Sequence, residues 1–204
     1  MPRKILTLGP GGKLALKSPD GKVEEARPGL IVPPLVYLLL DCSGSMAGEK
    51  IGQAKRGVSE FAENAFAKGY WLGLIKFESD ASEVCGPTQD LGSIKRILAS
   101  VNIGGSTNMM GAIRLGTQMV GSTGGIRCLV LFTDGMPDDE DSALDAAERA
   151  KAQGIEIITV GTEEADQEFL AKLATREDLA TIVDSGQLQE GIAATAKLLP
   201  GTKK

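Results

Sequence analysis

The sequence predicts an α/β fold: a doubly wound, mostly parallel six-stranded sheet with one antiparallel edge strand, helices on both faces and a small β appendage at the N-terminus. Three observations predict it. From Val36 onward, apolar runs alternate with amphipathic helical segments, the pattern of a parallel sheet covered on both sides. One link between strand candidates, Glu78-Ser79-Asp80-Ala81, is too short for a parallel crossover and demands an antiparallel hairpin. The 204 residues, 42% of them hydrophobic, suffice for the core of one domain of this class but not of two.

Residues 1–32 form an extension in which short apolar pieces at 5–8, 14–16 and Val23 alternate with the turn signals Gly9-Pro10-Gly11-Gly12 and Pro19-Asp20-Gly21. That spacing predicts two or three short strands in a hairpin-like appendage, closed off by Pro33-Pro34. The glycine-rich turn lacks the Lys-Ser/Thr and the long helix of a phosphate loop, so it reads as a plain turn. The main domain, residues 33–200, supplies strands at 36–41, 71–77, 83–85, 127–133, 155–160 and 181–183. Its first helix, 49–67, places Ile51, Ala54, Val58, Phe61, Ala62 and Ala65 on one stripe, and Lys68-Gly69 ends it. Further helices are predicted at 91–99, 109–120, 140–153, 167–173 and 188–198, the last stopped by Pro200-Gly201 ahead of a frayed tail, 201–204.

Composition removes several function classes. With no histidine in the chain, Ser-His-Asp hydrolysis, Cys-His proteolysis and His-based zinc sites are excluded. A formal net charge of -5 argues against a nucleic-acid partner. The three cysteines, Cys42, Cys85 and Cys128, are widely spaced and form no CxxC pair, which fits a reduced, cytoplasmic setting. The N-terminus shows no apolar segment of signal-peptide length, and the longest apolar stretch, 30–40, is interrupted by Pro33-Pro34, so neither export nor a membrane partner is expected.

Ligands of an open parallel sheet collect beyond the carboxyl ends of its strands. Three loops predicted there are rich in oxygen: Asp41-Cys42-Ser43-Gly44-Ser45, Gly104-Gly105-Ser106-Thr107-Asn108 and Thr133-Asp134-Gly135. A carboxylate and two hydroxyls at i, i+2 and i+4 can turn toward one point, and such oxygen sets suit a hard cation like Mg²⁺. This set resembles the von Willebrand factor type A domain with an intact metal-ion-dependent adhesion site. The family pattern is Asp-x-Ser-x-Ser, then the Thr of a Gly-Gly-x-Thr loop, then the Asp of a Thr-Asp-Gly turn. Asp41, Ser43, Ser45, Thr107 and Asp134 match it without departure, and the resemblance covers residues 36–199. It implies a Rossmann-like sheet and a bound Mg²⁺, with Mn²⁺ or Ca²⁺ as alternatives. It further implies hydroxyl ligands from Ser43, Ser45 and Thr107, with Asp41 and Asp134 acting largely through water. A protein partner would then present an Asp or Glu carboxylate to the metal.

Each piece also has a plainer role open to it. Ser43 and Ser45 are suited to capping the helix that follows, Thr107 to capping the helix from Met109, and Asp134 to holding its own turn with Gly135. Asn108 is expected to order the glycine-rich loop, and Cys42 to be a small buried side chain rather than a ligand. The acidic run Asp138-Asp139-Glu140-Asp141 suits either a second cation or a solvated helix start, the latter favoured by the helix macrodipole. The expected function is a metal-ion-dependent protein-interaction module and not an enzyme. The alternatives are an Mg²⁺-assisted hydrolase, or a regulatory subunit of an AAA+ ATPase, chelatase-like, kinase or phosphatase system. Coupling of the metal site to movement of the last helix, 188–198, is a further expectation drawn from the resemblance.

Overall fold

A computed structural model describes residues 5–8, 14–17, 22–25, 32–121 and 125–201. Near the N-terminus, β1 (Ile5–Leu8), β2 (Leu14–Lys17) and β3 (Val23–Glu25) pair antiparallel in the order β1-β2-β3. β1 lies beside the edge strand of the main sheet. The tight turns expected at 9–12 and 19–21, and the tail residues 202–204, lie outside the described residues.

The main sheet holds β4 (Leu35–Asp41), β5 (Trp71–Phe77), β6 (Ala81–Thr88), β7 (Arg127–Thr133), β8 (Glu156–Thr162) and β9 (Ala180–Val183), in the order β6-β5-β4-β7-β8-β9. Every pairing is parallel except β5 with β6. The hairpin predicted from its short link is therefore present. β6 runs well beyond the expected 83–85, because it takes in Gly86 and Pro87, residues that argue against a strand in sequence but are tolerated on an edge. Its register against β5 shifts near Leu74, where the strand bulges.

β4 is central, and its seven residues are all buried. Alternate side chains feed two separate cores. Val36, Leu38 and Leu40 join one cluster with Val58, Phe61 and Ile192, while Leu35, Tyr37 and Leu39 join the other with Ile113, Ala147 and Leu170. Each such large aliphatic side chain contributes roughly 1.5–3 kcal/mol by leaving water. One face is covered by α1 (Glu49–Ala67), α2 (Leu91–Ser100) and α6 (Leu188–Thr195), the other by α3 (Met109–Val120), α4 (Glu140–Ala152) and α5 (Gln167–Leu173). α6 is shorter than the expected 188–198: after Thr195 the chain tightens into i to i+3 bonds, with Leu198 N donating to Thr195 O at 2.9 Å.

Tyr37 shows how tightly the sheet is built. Its ring lies across Gly73 of β5, where any added Cβ would collide with the ring, and its hydroxyl donates to Glu83 Oε1 of β6 at 2.5 Å. Among the described residues no helix is long and apolar enough to cross a membrane.

The strand order places the site. The chain moves from β4 outward through β5 to β6 on one side, then returns to put β7 on the other side of β4. Loops leaving the carboxyl ends of β4 and β7 therefore part in opposite directions and leave a crevice between them.

Candidate metal centre

Asp41 is the last residue of β4 and Thr133 the last of β7, so Asp41 and Asp134 emerge side by side at that crevice. Both are buried, at 0% and 1% exposure. Asp41 Oδ1 accepts from Ser43 N at 2.8 Å, and Oδ2 accepts from Thr133 Oγ1 at 2.6 Å. Burial pushes the Asp41 carboxyl above its ordinary pKa, an effect opposed by bonds from Ser43 and Thr133 and reinforced by the nearby charge of Asp134.

The hydroxyls continue the chain of bonds. Ser45 Oγ donates to Asp134 Oδ1 at 2.7 Å, and Ser43 Oγ lies 3.0 Å from Ser45 Oγ. A hydroxyl has one proton, and that of Ser45 is given to Asp134, so Ser43 is the donor in the serine pair. The structure thus links Ser43, Ser45 and Asp134 directly, with Asp41 joined through the Ser43 amide.

The second loop is laced to the first and third by its backbone. Gly104 N donates to Cys42 O at 2.8 Å, Gly44 N to Gly105 O at 3.3 Å, and Asp138 N to Thr107 O at 3.1 Å. Gly105 has φ 69° and packs so closely on Ser79 and Glu78 that a side chain would have no room. Thr107 is 9% exposed, its amide is held by Asp138 Oδ1 at 3.0 Å, and its hydroxyl has no hydrogen bond among the described residues. Among the described residues the buried side-chain polar atoms without a partner are Gln53 Oε1 and Arg127 Nε, so the unbonded Thr107 hydroxyl is one that solvent, and hence a ligand, can reach.

The plainer roles are taken by other residues. Ser43 stands at the N-cap position of the short 3-10 turn Gly44–Met46 but makes no side-chain cap bond there, and the N-cap of α1 is Gly48. Asn108 is the N-cap of α3, its Oδ1 accepting from Gly111 N at 2.9 Å while Nδ2 donates to Ser79 O at 3.0 Å, which also orders the glycine-rich loop as expected. The turn at Gly135 is held by Thr133 Oγ1, which accepts from Gly135 N at 3.2 Å, leaving the Asp134 carboxylate for Ser45 and Lys50. Cys42 is fully buried, its thiol directed to Leu40 O, and burial followed by the charge of Asp41 pushes that thiol up to about 12.

Lys50 escaped the sequence reading, and the acidic run, read there as a helix start, proves to have separate tasks for Asp138 and Asp139. Lys50 Nζ pairs with Asp134 Oδ2 at 2.8 Å and with Glu164 Oε2 at 2.5 Å. Asp138 braces the Thr107 loop through Ser106 Oγ at 2.7 Å and the Thr107 amide. Asp139, its neighbour, is the N-cap of α4, accepting from Ser142 N at 3.0 Å, and this bond with that of the Ser142 hydroxyl holds its carboxyl below the ordinary range. The acidic run is thus split between a brace and a cap. Only Asp139 carried a local signal, as an Asp three residues ahead of Ser142.

The donor set suits a hard divalent cation. It offers two carboxylates and three hydroxyls and no sulfur or imidazole. No group of three or more His, Cys, Asp or Glu side chains gathers among the described residues, so a cation here would meet mostly neutral oxygens.

The chain matches the family profile described as von Willebrand factor type A domain over residues 36–194. It is 29% identical over 182 residues to the magnesium-chelatase 67 kDa subunit of Chlorobaculum parvum, across 87% of this chain and 28% of that protein. The chain therefore spans little more than a quarter of that relative's length. Its fold is similar to that of the vWF domain of the type V pili tip protein Mfa5 from Porphyromonas gingivalis, with TM-score 0.73 and 12% identity over 85% of this chain and 99% of that one. It is similar as well to proximal thread matrix protein 1 from the mussel byssus, solved with a zinc-occupied MIDAS motif, with TM-score 0.71 and 18% identity over 82% of this chain and 48% of that one.

Proposed function

The chain belongs to the von Willebrand factor type A family, and from that premise we propose that it is a metal-ion-dependent protein-interaction module. Asp41, Ser43, Ser45, Thr107 and Asp134 hold the ion, Mg²⁺ in the first instance with Mn²⁺ or Ca²⁺ as substitutes. A divalent ion bound among neutral hydroxyls keeps net positive charge and exchangeable positions, which a carboxylate from outside can fill. The partner is a protein presenting an Asp or Glu side chain. The observation that carries this reading is the bonded series Ser43, Ser45, Asp134, to whose loops the Thr107 loop is tied by backbone bonds.

Each residue has a task. Asp41 fixes the Ser43 amide and, through Thr133, the end of β7, so the first loop is held to the third. Asp138 holds the backbone of Thr107, through its amide and its carbonyl. On this reading the module binds without catalysing, and the chain lacks the histidine that most often serves as a base near neutral pH.

Likeness to magnesium-chelatase subunits favours a second, narrower reading, in which the carboxylate is captured within a chelatase-like assembly that this chain regulates. The test common to both is calorimetric titration of Mg²⁺ or Mn²⁺ into the wild type and Asp41→Ala, with circular dichroism to confirm the fold. Saturable binding by the wild type alone is expected, and equal binding by both would sink the site.

A further inference from the structure

Lys50 enters the site from α1, its side chain 19% exposed, and reaches a carboxylate whose side chain is 0% exposed. Asp134 is then held from two directions, Oδ1 by the Ser45 hydroxyl and Oδ2 by the Lys50 ammonium. The ammonium is shared with Glu164, whose side chain is 56% exposed in the loop after β8. Burial draws the ammonium pKa down, but the bonds to Asp134 and Glu164 outweigh it, so Lys50 stays charged. A buried carboxylate must be paired, and Lys50 is the cation the structure gives this one.

We infer that Lys50 is the built-in counter-cation of the site, competing with a divalent ion for Asp134 and thereby setting how tightly metal binds. The inference rests on the metal-site reading above. Its physical content is a sign. A divalent ion approaching Asp134 is repelled by an ammonium already bonded to one of its oxygens, and in a crevice partly closed to water that repulsion is only weakly screened. Glu164 lessens the repulsion by drawing the ammonium toward solvent.

A lysine that served only to orient Asp134 would act in the opposite sense, because its loss would let the carboxylate swing and weaken the metal. The two roles therefore separate on one measurement. Lys50→Met is expected to bind Mg²⁺ about tenfold more tightly than wild type by calorimetry. Its midpoint of thermal unfolding should be lower in EDTA, with a larger rise on adding Mg²⁺. Lys50→Arg, which keeps the charge, should remain near wild type. Glu164→Gln leaves the ammonium wholly on Asp134 and should weaken binding several-fold, an effect that shrinks to less than about twofold in the Lys50→Met background.

Unchanged or weaker binding by Lys50→Met overturns the competition. Wild-type binding lost in Asp41→Ala, but not raised in Lys50→Met, removes this inference and leaves the metal site standing. Absence of metal binding in wild type, Lys50→Met and Asp41→Ala alike removes both. Should Lys50→Met fail to fold without metal, Glu164→Gln carries the sign test, since its carboxylate is exposed and its loss leaves the core untouched; unchanged or tighter binding there overturns the competition as well.

Discussion

The two ends of the main sheet use the same polar chemistry to different purposes. At the amino ends of the strands, cations and a phenol close off helix carboxyl ends: Lys68 Nζ lies 2.7 Å from Ala196 O, Tyr70 Oη donates to Pro200 O at 2.8 Å, and Arg127 reaches Gly121 O at 2.7 Å and Gln153 O at 2.5 Å. The carbonyls of Ala196, Gly121 and Gln153 are left over where α-helical bonding stops, and cations there also meet the favourable end of the macrodipole, while that of Pro200 lies beyond α6. At the carboxyl ends, side chains bond to side chains, two carboxylates are buried together, and the Thr107 hydroxyl is left over. The contrast teaches that polarity alone does not mark a site. One end directs its polar groups to backbone carbonyls; the other bonds them to one another and leaves a hydroxyl open.

The largest effect that bears on this contrast concerns sulfur. Cys42 stands at the carboxyl end between Asp41 and Ser43, and Cys128 near the amino end of β7; burial first, then nearby acidic groups, pushes both thiols up to about 12. At pH 8 such a thiol is roughly one part in ten thousand thiolate, against about one part in four for an ordinary cysteine. Native-state alkylation followed by site-resolved mass spectrometry is expected to run about a thousandfold slower at both than in urea. If Cys42 alone reacted readily, sulfur would have to be added to the oxygens of the carboxyl end.

Next in size is Arg127→Met. Removing the guanidinium strands the Gly121 and Gln153 carbonyls but also relieves Arg127 Nε, which is buried without a partner, so a loss of about 2 kcal/mol in denaturant unfolding is expected. Metal affinity of the folded protein should be unchanged. A fall in metal affinity at constant stability would erase the distinction between the two ends.

How much of this was legible depends on how far apart in sequence the partners lie. The strands were legible because β4, β7 and β8 are continuous apolar runs buried on both faces, and the three loops because each keeps its functional residues within five positions or fewer. The edge strand β6 was cut short in sequence because Gly86-Pro87 reads as a breaker, whereas an edge position asks only one side of the backbone to pair. Lys50 with Asp134, 84 residues apart, and Asp138 with Thr107, 31 apart, carried no local signal at all. Nothing in Lys50 distinguishes it from Lys55, whose ammonium goes to the Val101 carbonyl. Only the fold decides which lysine faces the crevice.

The smallest expected effect is also the one that bears most directly on the contrast. Thr107→Val removes a hydroxyl that bonds to no described residue and keeps the shape of the side chain. The Thr107 backbone stays tied to Asp138 through its amide and its carbonyl. Stability in EDTA should therefore move by less than about 0.5 kcal/mol. Metal affinity should fall about tenfold, equivalent to about 1.4 kcal/mol, because one neutral oxygen of the set is gone. That pairing of outcomes is the reverse of what Arg127→Met should give. A residue that costs metal and not stability belongs to the site; one that costs stability and not metal belongs to the scaffold. If Thr107→Val destabilised the protein in EDTA and left metal binding intact, its hydroxyl would be a structural group after all, and the carboxyl end would differ from the amino end in its bonding partners but not in its role.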